Sequence, residues 1–283
     1  MAIVAHLTAL LAARPIVLWV EDAITKAYLE RIWQPDDILF NILIGGGASS
    51  IRAVVHDLRA DGYRYVFGLT DRDYDAPNVT QWNNPASALE VFRPTAFEIE
   101  NHLLDWDALE GCGENQNRHR RTKAWITAEA EVQAQKMPWW MACRSVLAEY
   151  HLRMVGGFPR HPKIDAIQNL TQAETYIQTA NGWHSGLQAN VSQLLAPGVL
   201  TNDLQGAHGK WAQSLTDGSW KVHFSGREVF RVLRAKILDA RGSTTAELDI
   251  DLAKSIADWQ VTNHAVPAEL VALKTALRTR VGV

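Results

Sequence analysis

Cysteine is scarce in this chain of 283 residues: only Cys112 and Cys143 occur, and they lack the short spacing of a metal-binding pair. That excludes a disulfide framework and fits a reducing compartment, so a cytoplasmic location is expected. Long hydrophobic runs are missing too. No stretch approaches the roughly eighteen apolar residues of a membrane span, and no membrane partner is expected. The apolar run from Ile3 to Leu11 has no basic residue before it, is broken by Arg14-Pro15 and leads to no small-residue cleavage pattern, which argues against a secretory signal. Internal repeats and low-complexity tracts are absent. The histidines at 151, 161, 184, 208 and 223 have no ligand spacing, so each reads as structural. Gly45-Gly46-Gly47 lacks the Lys-Ser/Thr of a P-loop and the spacing of a dinucleotide fold, so it signals no nucleotide cofactor.

What is present is a hydrophobic content of 47%, enough for a sizeable core, and an uneven spread of charge. Residues 1–110 carry 16 acids against 8 Lys/Arg, whereas residues 111–283 carry 15 against 20. An acidic part able to bind cations, joined to a basic part able to bind phosphates, suits a metal-dependent enzyme acting on nucleic acid.

The first part reads as alternating strands and helices. Ile16 to Val20 is a continuous apolar run, the pattern of a strand buried on both faces. Ile24, Tyr28, Leu29 and Ile32 recur at helical spacing before Pro35. A second strand is expected over residues 38–44. The helix after it, with Ile51, Val54, Val55 and Leu58 on one face, is expected to be capped by Ser49 or Ser50 and ended by Asp61-Gly62. Residues 65–70 make a third strand and 89–92 a shorter one. Short connections of this kind imply a parallel sheet, with ligands beyond the carboxyl ends of its strands.

Glu21 lies at one such end, and Asp71, Asp73 and Asp75 follow the third strand at every second position. In extended chain these carboxylates point to one side, and their mutual repulsion is relieved by a hard divalent cation. The spelling Asp-Tyr-Asp-Ala-Pro-Asn also suits a plain turn.

A glutamate after strand one, a glycine-rich turn after strand two and Asp71-Arg72-Asp73 after strand three resemble the motif set of the Toprim domain. Together with Phe97-Glu98-Ile99-Glu100-Asn101-His102, they look most like the OLD-family nucleases and the small Toprim-like effectors of PARIS phage-defence systems. Ser225-Gly226-Arg227-Glu228 is a weaker point of likeness in the second part. The resemblance implies an α/β, Toprim-like parallel-sheet catalytic domain over residues 1–110, followed by a mainly helical, basic domain over 111–283. It also implies a Mg²⁺- or Mn²⁺-dependent endonuclease that hydrolyses phosphodiesters of tRNA or DNA as a toxic antiphage effector. An ATPase partner in a defence complex and homo-oligomerisation stand among the partners it implies. One departure is that Asp22 and Thr25 replace the glycine and the later aspartate usual after the glutamate, which leaves open whether one or two ions are bound.

On this reading Asp71, Asp73, Glu21 and Asp75 are candidate metal ligands, and Glu21 also a general base or acid. Lys26, one turn past Glu21, is a candidate for neutralising charge in the transition state. Of Glu98 and Glu100, Glu100 is favoured to reach the site, and complementing a helix N-terminus is the other role open to these acids. In the second part, Arg118, Arg120, Arg121 and Lys123 form a basic run near Trp125, Trp139 and Trp140. It reads either as a phosphate clamp with stacking aromatics or as a solvated loop. Arg227, Arg231 and Arg234 fall at i, i+4 and i+7, a second candidate nucleic-acid face. The loop Gly156–Lys163 is a candidate hinge, and two short packing helices are expected near the C-terminus.

Two other functions fit parts of the pattern. A phosphatase of the haloacid-dehalogenase kind also uses Asp-x-Asp after a strand, but from the first strand of its core, and it leaves Glu21 unexplained. A catalytically inactive Toprim-derived module that binds an ATPase or nucleic acid accounts for Thr25.

Overall fold

The computed structural model describes residues 15–72, 90–152, 164–179, 197–238 and 245–283. Within them lies a four-stranded parallel sheet, formed by β1 (Ile16–Val20), β2 (Phe40–Ile44), β3 (Val66–Leu69) and β4 (Val91–Phe92) in the order β2-β1-β3-β4. Val17 of β1 pairs with Asn41 on one side and Val66 on the other, so β1 is central and apolar throughout. Helix α1 (Ala23–Ile32) carries the chain from β1 to β2, and α2 (Ala48–Ala60) carries it from β2 back across to β3. The first crossover runs outward from β1 to β2, and the second runs in the opposite direction, back past β1 to β3. Right-handed connections therefore put α1 and α2 on opposite faces and open a crevice between the carboxyl ends of β1 and β3.

Ile51, Val55 and Leu58 of α2 pack on Val17 and Val66, with Trp19, Leu43 and Val91 at the margin. Because side chains alternate along a strand, Ile16, Leu18 and Val20 face the other way and are fully buried. Beside α1, the Trp33 ring packs 4.7 Å from Phe40.

Several expected boundaries shift. Residues 36–39 form a 3-10 turn rather than the start of β2, and Ile38 is 67% exposed. Helix α2 starts at Ala48 with Gly47 as its N-cap, so neither Ser49 nor Ser50 caps it. Glu98 opens a 3-10 turn over Ile99–Leu103.

Among the described residues the remaining helices are α3 (Trp106–Gly111), α4 (Gly113–Gln116), α5 (Lys123–Gln135), α6 (Met137–Leu152), α7 (Leu170–Thr179), α8 (Val199–Thr216), α9 (Trp220–His223), α10 (Gly226–Leu238), α11 (Thr245–Thr262) and α12 (Ala268–Val281). The compact units do not divide at residue 110. Described residues up to 72, from 90 to 127 and from 225 onward form one unit, and those from 128 to 224 form the other. The physical reason lies in α10, α11 and α12, whose buried faces complete the first unit rather than a separate domain. Tyr28 on α1 donates to Gln260 Oε1 on α11 at 2.7 Å, and Trp33 Nε1 donates to the Leu270 carbonyl of α12 at 3.2 Å. The two C-terminal helices are also long, at 18 and 14 residues.

In the second unit α8 packs on α6. Trp211 Nε1 donates to Ser145 Oγ at 2.9 Å, and Tyr150 donates to Asp203 Oδ2 at 2.8 Å. Cys112 and Cys143 are both buried free thiols. Among the described residues no helix is long and apolar enough to cross a membrane.

Candidate active site

Glu21 and Asp22 leave the end of β1, and Asp71 lies two residues beyond β3, so strand order alone brings them to the crevice. Glu21 Oε1 accepts a hydrogen bond from the Asp71 amide at 3.0 Å, the approach expected from the sequence. Asp22 caps α1 by accepting from the Thr25 amide at 2.8 Å. The two positions that depart from the Toprim pattern are thus partners of one another.

A third segment closes the group. The Arg72 amide donates to the Phe97 carbonyl at 3.0 Å, and the Ile99 amide donates to Asp71 Oδ1 at 3.2 Å. These bonds fasten the segment carrying Glu98 and Glu100 to the end of β3. Glu98 turns to the start of α10, where it accepts from the Ser225 hydroxyl at 2.8 Å and the Arg227 amide at 2.8 Å. That is the helix-terminus role left open for one of these acids. Glu100 points to the centre, where Arg227 Nε donates to its Oε1 at 2.6 Å. Arg227 Nη2 also reaches Asp22 Oδ2 at 2.8 Å and Asp71 Oδ2 at 3.3 Å.

Three carboxylates therefore hold one guanidinium, with Glu98 on its main-chain amide and Glu21 beside Asp71, and the titration of Asp71, Glu100 and Arg227 reflects the excess of acids. Burial pushes the Asp71 carboxyl well above its usual range; Glu100, Glu98 and Glu21 push in the same direction, and Arg227 only partly offsets them. Glu100, fully buried, is raised to about 7 chiefly by desolvation, against the pull of Arg227. Burial opposes the charge on Arg227, but Glu100, Glu98 and Asp71 outweigh it and hold its pKa above the ordinary arginine value. Glu100 Oε2 and Thr70 Oγ1 are buried with no hydrogen-bond partner.

An all-oxygen carboxylate set with surplus negative charge and an unpartnered buried oxygen fits a hard divalent cation such as Mg²⁺ or Mn²⁺. Among the described residues no three acids, histidines or cysteines are gathered at ligand distances. Asp73 and Asp75 lie outside the described residues.

The other sequence candidates fall elsewhere. Lys26 donates to the Ile42 carbonyl at 2.7 Å and lies 3.4 Å from Glu30, so its ammonium is directed to β2 and not to the carboxylates. Arg234 is buried with its Nε 2.8 Å from Asp249 Oδ1, close enough for an ion pair although not aligned as a hydrogen bond. With Arg227 turned inward as well, the expected three-arginine face does not form. Arg231 alone of the three is exposed, beside Glu228 at 3.3 Å.

The basic run is an ordered loop around buried Asn115, whose side chain donates to the Glu110 and Arg121 carbonyls and accepts from the Arg121 amide. Arg118 pairs with Glu114 at 2.9 Å, Arg120 donates to the Gln116 carbonyl at 3.2 Å, and Lys123 pairs with Asp107 at 2.7 Å. Arg121 lies over the Trp125 ring at 4.4 Å. Trp139 stacks on His208 and Trp140 is buried in α6, so these two rings are already engaged within the second unit. The loop Gly156–Lys163 lies outside the described residues.

The sequence reading missed Asp22 as a partner of Arg227, and Ser225 and Gly226 as the dock for Glu98. A Ser-Gly-Arg-Glu run before an apolar helical pattern is a helix-start signal, and it marked the place without naming the carboxylate that meets it. Comparison of the chain with protein-family models, with curated proteins and with solved structures finds no match in any of the three.

Proposed function

We propose that this chain is a divalent-ion-dependent nuclease of the Toprim type, cleaving phosphodiester bonds of tRNA or DNA. The observation that carries the reading is the convergence of Glu21, Asp71 and Glu100, from three separate segments, at the carboxyl ends of parallel strands. Asp71 and Glu21, with Asp73 and Glu100, would hold Mg²⁺ or Mn²⁺. The ion, when bound, would polarise a phosphoryl oxygen and lower the pKa of water.

The chain's own groups supply the rest. Glu21, held by the Asp71 amide, would accept a proton from the attacking water. Asp71 is fixed in turn by the Ile99 amide, so the two acids keep their spacing without rotating freely. Exposed Arg118, Arg120 and Arg231 would attract the polyanion. The resemblance to PARIS effectors extends the proposal to a toxic role in antiphage defence, with an ATPase partner and a self-associated form.

A second reading is an inactive module that binds an ATPase or nucleic acid, and the engagement of Arg227 by three of the acids favours it. Incubating plasmid DNA, single-stranded DNA and total tRNA with Mg²⁺ or Mn²⁺ separates the two. Cutting by the wild type that is lost in Glu21→Gln and in Asp71→Asn, with folding retained, supports the nuclease. No cutting of any substrate by the wild type leaves the binding module.

A further inference from the structure

Arg227 lies on the first turn of α10, and its guanidinium meets acids from three other segments. Nε donates to Glu100 Oε1 at 2.6 Å, while Nη2 reaches Asp22 Oδ2 at 2.8 Å and Asp71 Oδ2 at 3.3 Å. The second oxygen of each acid has a different fate. Asp22 Oδ1 accepts from the Thr25 amide and Asp71 Oδ1 from the Ile99 amide, whereas Glu100 Oε2 is buried without a hydrogen-bond partner. The oxygens that converge are the ones the guanidinium holds. An ion bound directly by these acids competes for those same oxygens, because amides occupy the second oxygens of Asp22 and Asp71 and only Glu100 Oε2 is left over.

We infer that the Arg227 guanidinium stands in for the divalent ion, holding Asp22, Asp71 and Glu100 together in the ion-free protein and yielding them when the ion binds. The inference rests on the divalent-ion reading of the site. A planar fork with several donors can satisfy carboxylates from more than one direction, which a compact ammonium cannot do. The exchange is also physically accessible. Arg227 has a side chain 28% exposed, so the guanidinium has a path to water when it leaves the acids. Its main-chain amide and the Ser225 hydroxyl remain on Glu98, so the helix start stays anchored while the side chain lets go. Exchanging one positive charge for two also suits a centre with five carboxylates.

The test is calorimetric titration of Mn²⁺ into the wild type, Arg227→Gln and Arg227→Lys, alongside melting curves with and without the ion. Removing the competing charge is expected to tighten Mn²⁺ binding by about tenfold or more in Arg227→Gln, and to make its melting temperature rise more with Mn²⁺ than that of the wild type. Arg227→Lys, whose ammonium cannot span three acids, is expected to fall between the two. Affinity equal to or weaker than wild type in both variants overturns the inference and leaves the divalent-ion reading standing. Mn²⁺ binding by none of the three proteins overturns the reading and the inference with it. If Arg227→Gln does not fold, Arg227→Lys decides: tighter binding than wild type supports the exchange, and equal or weaker binding overturns it.

Discussion

Gly226 is the point where α10 presses on the turn that carries Glu98 and Glu100, and a single methyl there tests the assembly of the site. A Cβ at this position would meet the Asn101 backbone nitrogen and lie 2.7 Å from the Asn101 Cγ and Oδ1. Backbone cannot rotate away as a flexible side chain can, so the helix start must move. Two effects compete. Alanine favours a helix over glycine by about 1 kcal/mol, while overpacking costs about 1–3 kcal/mol. Any displacement also strains the hydrogen bonds from the Ser225 hydroxyl and Arg227 amide to Glu98, and bonds to a charged group contribute about 1.5–3 kcal/mol each. The losses win, and Gly226→Ala should destabilise this contact by about 2 kcal/mol. Gly209 in α8 is the control, since nothing lies within 4 Å of its built Cβ; there the same substitution should stabilise by up to about 1 kcal/mol. The two glycines belong to different units, so a local readout is required. Hydrogen exchange followed by mass spectrometry should show roughly thirtyfold faster exchange over residues 98–103 and 226–238 in Gly226→Ala, and slower exchange over 199–216 in Gly209→Ala. Unchanged protection at residues 98–103 in Gly226→Ala would refute the close-contact argument.

Two further outcomes follow from buried groups. Glu100 has its carboxyl raised from 4.5 to about 7, chiefly by burial, so the folded state resists its ionisation. Below pH 4.5 the group is protonated in both states and carries no penalty; as pH rises to about 7 the unfolded chain releases the proton more readily, and stability falls by up to about 3 kcal/mol. Urea denaturation in a chelating buffer should show that fall between pH 5 and pH 8 for the wild type and a flatter profile for Glu100→Gln, and parallel profiles would contradict the assignment. Asn115→Ala removes three hydrogen bonds to main-chain groups and should cost about 2–4 kcal/mol. Limited trypsin digestion should then cut faster after Arg118, Arg120 and Arg121, and an unaltered digestion pattern would show that Asn115 does not hold the loop.

Much of the sheet was legible because strand and helix periodicities were clean. The five apolar residues of β1 and the spacing of Ile51, Val55 and Leu58 could be assigned from the pattern alone. The approach of Glu21 to Asp71 followed from two residues placed just beyond neighbouring parallel strands. The arginines of α10 were less legible. Helical spacing says which residues share a face, but not whether that face meets water or an acid from another segment. Arg227 finds Asp22 across 205 residues of sequence, and Arg234 finds buried Asp249 on α11. The same limit applies to Lys26, whose place one turn after Glu21 suggested the site while the helix directs it to the Ile42 carbonyl.

The opposite charges of the two sequence halves have a structural consequence that counting alone does not give. The acidic segments and the C-terminal helices belong to one compact unit, so part of the basic excess neutralises acids of that unit. Glu98 and Glu100 divide the work: one fastens the start of α10, and the other meets the cation that this helix delivers. The docking of α10 on the turn and the carboxylate centre consequently share the same segment of hydrogen bonds. A variant that loosens Ser225 or Gly226 should disturb the acids without touching any of them, whereas one at Arg231 should alter surface charge and leave the centre intact.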